Sequence, residues 1–292
     1  MTVTLKNHRL TVRIEEMGAQ LCSVKDPAGR EYIWQADPEI WGRHAPLLFP
    51  VIGRLKDGKY TVHGREYAIS IHGFARGSLF SVAEQGETRA VFRLEHSEQT
   101  LQAWPFPFAL TVTYQLEENR LHKSVRVENS GEETMFYELG GHDGFVAPLE
   151  PGEVMDDYAI VIPGLEQLTP YGMDEQLMVT PPTLTYPLQN GRIPLKPSAY
   201  QLDTIILGDL PQSRACLVDR QGRARVTLDF PGFPYLGLWT QGREEDTNYV
   251  CIEPWSTLPD AVFVGRGLED KRGIRTLQPG QSEVLQYTTT FD

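Results

Sequence analysis

Apolar and polar residues alternate in short runs along most of the chain, which is the pattern of β-strands with one buried face. The alternation is clear in residues 2–14 and again in residues 121–128. Turn residues separate such runs, as in Asp26-Pro27-Ala28-Gly29 and Asn129-Ser130-Gly131, and His63-Gly64-Arg65 is typical of a hairpin. No run has the period of an amphipathic helix of several turns. The pattern therefore predicts an all-β fold, either a β-sandwich or a barrel.

Residues 146–200 differ from the rest because prolines interrupt them repeatedly. Such a segment predicts a long excursion of short strands and loops rather than a second domain. No internal repeat, low-complexity tract or Ser/Gly-rich linker marks a boundary. We therefore predict a single domain over residues 1–292. A short helical turn is expected at 37–44, with Pro38 in its first positions.

The composition limits the classes of function. The chain has 292 residues, with 39 acidic and 27 basic side chains and a net charge of −12. This balance argues against a nucleic-acid partner or an anionic membrane surface, but it leaves room for a small basic pocket. The cysteines Cys22, Cys216 and Cys251 are far apart and odd in number, so neither a disulfide framework nor zinc-type pairing is expected. No stretch has the length of a signal peptide's apolar region or of a membrane span, so a reducing cytoplasm is the expected location.

Polar residues near the ends of predicted strands are the candidates for chemistry, because no phosphate-binding glycine loop, dinucleotide fingerprint or Gly-x-Ser-x-Gly elbow occurs. These candidates are Arg54, His72, Arg76, His142, Asp203 and Glu253. The two arginines stand beside a glycine or near a histidine, which favours a binding role, although most arginines are surface charges. Asp203 is equally consistent with a turn residue.

The stretch Gly140-Gly141-His142-Asp143-Gly144-Phe145 surrounds one imidazole with glycines, directly after a predicted strand at 134–139. Glycine permits backbone conformations closed to other residues and lets a ligand approach closely. Histidine is the side chain best placed to transfer protons near neutral pH. Two interpretations follow: a glycine-rich turn with a solvated histidine, or a proton donor at the mouth of a β scaffold. His72, which also precedes a glycine, is either a hydrogen-bonded core histidine or a functional one.

Glu253 lies in Cys251-Ile252-Glu253-Pro254-Trp255, with apolar or aromatic residues on both sides. The proline biases Glu253 toward an extended backbone, and strand alternation would place it on the same face as Cys251. Burial disfavours the ionised form of a carboxylate unless it has a partner, which makes Glu253 a candidate general base. The alternative is a structural glutamate in a salt bridge.

Four segments stand in a distinctive order: Trp41-Gly42-Arg43-His44-Ala45-Pro46-Leu47-Leu48-Phe49-Pro50-Val51-Ile52-Gly53-Arg54, His72-Gly73-Phe74-Ala75-Arg76, Gly141-His142-Asp143-Gly144-Phe145 and Ile252-Glu253-Pro254-Trp255. With them the chain resembles the galactose mutarotase-like (aldose 1-epimerase) family, closest to its LacX-type branch, over nearly its whole length. Each segment is weak alone, but the four in order are fairly specific. The resemblance implies a large antiparallel β-sandwich, a supersandwich, with a sugar site in a cleft on one face.

The resemblance also implies a role for each matching residue. Glu253 would be the general base and His142 the general acid. His72 would bind the sugar near its ring oxygen and support the acid. Arg54 would bind sugar hydroxyls, and Asp203 is the match for an aspartate that contacts them.

The chain departs from the well-studied galactose mutarotases on both sides of the second histidine. They have Asn where this chain has Gly141, and Tyr-Phe-Asn where it has Asp143-Gly144-Phe145. They also lack Phe74-Ala75-Arg76, which resembles the hexose-6-phosphate mutarotase branch, where such an arginine helps to hold the phosphate. The resemblance therefore leaves open whether the substrate is a hexose or a hexose phosphate.

Mutarotation needs two proton transfers and no cofactor, with the acid protonated and the base ionised near pH 7. Two other hypotheses stand beside it. One is a non-catalytic sugar-binding or sensor protein on the same sandwich. The other is a metal site formed by His44, His72 and His142, which no ligand spacing supports. The expected partner is a small-molecule sugar, and the sequence leaves open whether the chain forms a homodimer.

Overall fold

The structure, a computed structural model, describes residues 1–195, 204–241, 248–263 and 265–292. Its strands are β1 (Thr2–Lys6), β2 (Thr11–Glu15), β3 (Gln20–Lys25), β4 (Leu47–Leu48), β5 (Lys59–Val62), β6 (Arg65–Ala68), β7 (Ser81–Gln85), β8 (Arg89–Glu95), β9 (Phe108–Glu117), β10 (Arg120–Asn129), β11 (Met135–Tyr137), β12 (Gly140–Gly141), β13 (Asp143–Val146), β14 (Ala159–Val161), β15 (Gln167–Leu168), β16 (Gly172–Met173), β17 (Val179–Thr180), β18 (Tyr186–Pro187), β19 (Arg192–Pro194), β20 (Thr204–Gly208), β21 (Arg214–Val218), β22 (Ala224–Asp229), β23 (Tyr235–Trp239), β24 (Tyr249–Trp255), β25 (Arg275–Leu277) and β26 (Ser282–Phe291). The helices are α1 (Glu98–Ala103) and three 3₁₀ turns at Lys56–Gly58, Ala75–Gly77 and Met155–Asp157. None of the described helices is long and apolar enough to cross a membrane.

Two large antiparallel sheets form the layers of a sandwich, which confirms the predicted fold class. One sheet has nine strands in the order β19-β14-β21-β22-β26-β10-β9-β8-β7. The other has six, in the order β20-β23-β24-β12-β4, with β13 also paired to β24. Apolar side chains fill the space between the layers. Phe49, next to β4, packs against Phe108 of β9 and against Trp104 and Tyr137.

Helical structure is sparse in the described residues. The short helical turn predicted at 37–44 is present as one hydrogen-bonded turn at its start, in which Ile40 N–H donates to the carbonyl of Asp37. The short helix α1 was not predicted, because it is too short to show a helical period. Its start is nevertheless encoded by a capping box, since the side chains of Ser97 and Thr100 each accept a hydrogen bond from the other residue's backbone N–H. The proline-rich stretch does form short strands, β14 to β19.

A buried polar contact joins the two layers behind β13. Asp143 of the six-stranded sheet accepts hydrogen bonds from the Tyr287 hydroxyl, at 2.9 and 3.0 Å to its two carboxylate oxygens. The Lys123 ammonium of β10 lies 3.6 Å from the same carboxylate and over the rings of Tyr114 and Tyr287. Burial raises the pKa of Asp143 and lowers that of Lys123, and the attraction between the two opposes both shifts. The two charges are therefore compatible with the core only as a pair.

Replacing Lys123 by methionine should destabilise the protein by about 3–5 kcal/mol, because Asp143 would keep a buried charge without its cation. Urea-induced unfolding at pH 7 measures the change. Lys6→Met, on an exposed strand position, is the matched control and should shift stability by less than about 0.5 kcal/mol. The double variant Lys123→Met/Asp143→Asn should recover part of the loss. A Lys123→Met protein as stable as the wild type would contradict this account.

Candidate active site

A cavity of about 420 Å³ lies beside the six-stranded sheet, within the size range of small-molecule sites. The predicted residues that line it are Arg54, His72, Arg76, His142 and Glu253. The sixth, Asp203, lies outside the described residues. Trp41, Trp239 and Trp255 contribute to its wall. The structure thus brings together five residues from four separate parts of the sequence.

Strand pairing places His142 beside Glu253. Asp143 of β13 pairs with Ile252 of β24, and directly paired residues point to the same side of a sheet. Because Asp143 points toward the nine-stranded sheet, Glu253, the next residue after Ile252, points the other way, into the cavity. His142 Nε2 lies 3.4 Å from Glu253 Oε1. The Trp255 indole N–H donates to Glu253 Oε2 at 3.2 Å, which orients the carboxylate.

Aromatic rings enclose the imidazole of His142. The Trp41 ring stacks on it at 4.9 Å between centroids, and Trp239 meets it edge-on at 5.5 Å. Its Nδ1 atom is buried and has no hydrogen-bond partner among the described residues. Burial, and then the positive charges of Arg76 and Arg43, lower the pKa of His142 to about 3. At neutral pH the ring is therefore neutral, and the proton is best placed on Nε2, facing Glu253.

His72 is fixed by reciprocal bonds with one glycine. Its Nδ1 accepts from the backbone N–H of Gly53 at 3.1 Å, and its own N–H donates to the Gly53 carbonyl at 2.9 Å. The next residue must be glycine, because Gly73 has φ +70° and a Cβ there would lie 2.2 Å from the Phe49 carbonyl oxygen. Burial, followed by the neighbouring His142 ring and the positive charges of the arginines, holds the pKa of His72 well below its usual value. His72 is therefore a neutral ring whose Nε2 carries the proton.

Three buried charges hold the turn that carries Arg54. The Lys271 ammonium bridges the carboxylates of Glu138 and Asp260, the latter at 3.0 Å. Glu138 also accepts from Ile52 N–H at 2.6 Å, and Asp260 N–H donates to the Arg54 carbonyl at 3.3 Å. Burial alone would lower the pKa of Lys271, but the two carboxylates raise it. This network connects the turn at residues 52–54, which forms part of the cavity wall, to Glu138 and to the segment that contains Asp260 and Lys271.

Three arginines surround the side of the cavity near His72. Arg54 and Arg76 line it, and Arg43 donates to the Arg76 carbonyl at 3.4 Å. Arg76 also donates to the Ile71 carbonyl at 2.7 Å, and burial together with Arg43 lowers its pKa to about 10. Within the described part of the chain, none of the three has a carboxylate within ion-pair distance. Lys59 of β5 does not line the cavity, and its ammonium is paired with Glu66 of the adjacent strand.

The glycine-rich stretch around His142 is part of the sheet and not a turn, since it forms β12 and β13 on either side of the histidine. Gly141 leaves space for a core side chain instead of for a ligand, since a Cβ at this position would lie 2.5 Å from the Tyr287 hydroxyl. Asp143 points toward that same core side. It is therefore not placed to raise the pKa of His142, although it is the next residue in the sequence.

Some residues around the site were not predicted. Trp41 and Trp239 carry no sequence signal that separates them from core tryptophans, yet both line the cavity against His142. The buried network of Glu138 and Lys271 was also missed. One signal for it was present, because Tyr137-Glu138-Leu139 places a carboxylate inside an apolar strand, the same feature that identified Glu253.

Comparisons with known proteins find relatives that match this chain over nearly its whole length. A sequence model of the aldose 1-epimerase family matches residues 1–287. The chromosomal LacX protein of Lactococcus lactis subsp. lactis is 32% identical over 299 residues, covering 100% of this chain and 99% of LacX. A galactose mutarotase related enzyme from Lactobacillus acidophilus matches with a TM-score of 0.93 and 32% identity, covering 100% of this chain and 97% of that one. A galactose mutarotase-like protein from Lactobacillus casei matches with a TM-score of 0.88 and 28% identity over 100% of both chains.

The lowered pKa of His142 predicts an acid-sensitive fold. The pKa of this ring is 6.5 in the unfolded chain and about 3 in the folded chain. At a pH between these two values the unfolded chain binds a proton on the ring and the folded chain does not. Stability should therefore fall as the pH falls through this window, by up to about 1.4 kcal/mol per pH unit for one such group. Urea unfolding at pH 7, 5.5 and 4.5 should show a shallower loss for His142→Asn than for the wild type. The exposed control His8→Asn should keep the wild-type slope, and equal slopes for His142→Asn and the wild type would contradict the prediction.

Proposed function

Because the chain belongs to the aldose 1-epimerase family, we propose that it interconverts the α and β anomers of a hexose. One observation carries this proposal. A buried imidazole and a buried carboxylate, His142 and Glu253, face one cavity with 3.4 Å between Nε2 and Oε1. A proton donor and a proton acceptor in one small-molecule cavity are what ring opening of a sugar needs.

In the proposed reaction, the Glu253 carboxylate takes the proton of the anomeric hydroxyl. The C1–O5 bond then breaks, its electron pair goes to the ring oxygen, and His142 Nε2–H supplies a proton to that oxygen. The product is the open-chain aldehyde. Rotation about C1–C2 and closure from the other face reverse both transfers and give the other anomer. The proton balance closes within the pair, so the proposal requires no cofactor.

The acid in this scheme is a neutral imidazole and not an imidazolium, which differs from the expectation of a fully protonated histidine. A neutral ring can donate from Nε2, and nearby positive charge makes that donation easier. Arg76 and Arg43 supply such charge, since both lower the pKa of His142. His72, with Nδ1 held by Gly53, keeps Nε2–H free to donate to the sugar near the ring oxygen.

Glu253→Gln and His142→Asn should each lower the anomer-exchange rate by about 10²–10⁴-fold, because each removes one positioned proton-transfer group. Polarimetry or magnetization-transfer NMR measures the exchange. Glu98→Gln and His8→Asn, both at exposed positions, are the matched controls and should keep wild-type rates. Full activity in either site variant, with its fold verified by circular dichroism, would rule out the assignment.

A phosphorylated hexose is the second candidate substrate, and the three arginines favour it. Arg43, Arg54 and Arg76 lie at or beside the cavity, and no carboxylate pairs with them among the described residues. A phosphate would supply the missing negative charge, and arginine suits its geometry. The family assignment alone does not choose between a neutral and a phosphorylated sugar.

A substrate panel of glucose, galactose and glucose 6-phosphate separates these candidates. If the arginines bind phosphate, the phosphorylated sugar should react fastest, and Arg76→Ala should lower its rate by roughly 10–100-fold, which corresponds to loss of a charged hydrogen bond. The rates for the neutral sugars should change far less. Arg9→Ala, at an exposed position, is the control. Equal rates for all three sugars would exclude a phosphate preference.

The same panel tests a non-catalytic sugar-binding or sensor protein. Such a protein would bind a sugar without raising anomer exchange above the spontaneous rate. The paired His142 and Glu253 favour catalysis, because a binding protein needs neither a proton donor nor a base.

We also infer a cytoplasmic location, since Cys22, Cys216 and Cys251 are all free thiols.

A further inference from the structure

Cys251 lies next to both proton-transfer groups, yet the proposed reaction does not use it. It is two residues before Glu253 on β24, so the two side chains share a face of the strand. The thiol is buried in a cluster against which Trp41 and Trp239 pack. One ligand atom each from His142, Cys251 and Glu253 lie within 4.8 Å of one another. The site therefore holds a nitrogen, a sulfur and an oxygen around one point.

These three donor types are the set that binds zinc-like ions. Zn²⁺ takes imidazole, thiolate and carboxylate ligands at about 2.0–2.3 Å, which sets tetrahedral ligand atoms roughly 3.3–3.8 Å apart. The 3.4 Å between His142 Nε2 and Glu253 Oε1 already meets this separation. Because the three ligand atoms lie within 4.8 Å of one another, a shift of about 1 Å would bring the sulfur to this separation. His142 and Glu253 also line the cavity, so a water molecule in the cavity would supply the fourth ligand.

The set differs from the histidine trio that the sequence suggested. His44 Nδ1 is engaged with the Trp34 carbonyl at 2.7 Å, and His72 Nδ1 accepts from Gly53 N–H. Only His142 of that trio has a second and a third ligand-type atom beside it among the described residues. The two additional ligands come from one strand, at positions 251 and 253.

We propose that His142, Cys251 and Glu253 form a binding site for a thiophilic divalent cation such as Zn²⁺, and that the bound ion reversibly inhibits the protein. The ion enters through the cavity, which His142 and Glu253 line. It occupies the imidazole nitrogen and the carboxylate that the reaction needs, so neither can transfer a proton. The sulfur ligand selects against Mg²⁺, which prefers oxygen ligands in octahedral geometry. The inhibition rests on the proposed mutarotase activity, whereas the binding does not.

Cobalt spectroscopy tests the binding without any activity assay. Co²⁺ added to the purified chain should give a sulfur-to-cobalt charge-transfer band in the near ultraviolet and the visible bands of tetrahedral coordination. The charge-transfer band and the visible bands should persist in Cys216→Ser, because Cys216 lies in the other sheet. The charge-transfer band should disappear in Cys251→Ala. A wild-type protein without the band, or a band that persists in Cys251→Ala, would overturn the site. If Cys251→Ala does not fold, Cys251→Ser and His142→Asn provide the same comparison.

Zinc titration of anomer exchange tests the inhibition. ZnCl₂ should inhibit the wild type, excess EDTA should restore the rate, and MgCl₂ at the same concentrations should have no effect. In Cys251→Ala, compared with its own metal-free rate, the zinc concentration for half-inhibition should rise at least about tenfold. Equal zinc sensitivity in the wild type and Cys251→Ala would refute inhibition through this site. If the wild type shows no anomer exchange at all, the proposed function fails, and the cobalt spectrum still decides whether the site exists.

Discussion

The antiparallel pairing of β12 and β13 with β24 is the constraint on which the candidate site depends. The register sets Asp143 opposite Ile252. This pairing decides, for each side chain of the two strands, whether it points to the core or to the cavity. A slip of β13 by one residue against β24 would turn His142 into the core and bring Asp143 into the cavity, which would separate His142 from Glu253. The core therefore enforces the register, because Asp143 must meet Tyr287 and Lys123 on the inner side. Packing between the sheets and the proposed proton transfer in the cavity depend on the same strand pairing.

Buried charge occurs on both sides of this strand pair, and in each case it is compensated. Lys123 and Asp143 join the two sheets, while Lys271 bridges two carboxylates behind the turn that carries Arg54. Isolated, each of these groups would cost several kcal/mol to desolvate. Such pairs contribute little net stability compared with apolar residues, but they permit only one arrangement of the segments they connect. That property suits a cavity whose polar groups must meet within a few tenths of an ångström.

Much of this architecture could be predicted from the sequence, and the family resemblance covered most of the site. Alternation in runs such as 121–128 is sufficient for the all-β class, because a period of two is a local property. Glu253 could be identified because a carboxylate within Cys251-Ile252-Glu253-Pro254-Trp255 conflicts with its apolar neighbours. The direction of Asp143 could not be predicted, since it depends on strand register, which is a relation between distant segments. The neutral state of His142 could not be predicted either. It results from burial between Trp41 and Trp239 and from the nearby arginines, which are contacts between distant segments.

The three arginines gain a further meaning from the charge of the whole molecule. The chain carries a net charge of −12, yet three positively charged side chains, Arg43, Arg54 and Arg76, lie at or beside one cavity. At physiological ionic strength, salt screens the electrostatic field of the acidic surface over a distance of about 8 Å. The surface therefore repels mainly anions that contact it over a large area. A polyanion such as a nucleic acid must do so, whereas a small anion can enter the cavity and meet the guanidinium groups alone. The contrast between surface and cavity would therefore favour small anions over large ones as ligands of this cavity.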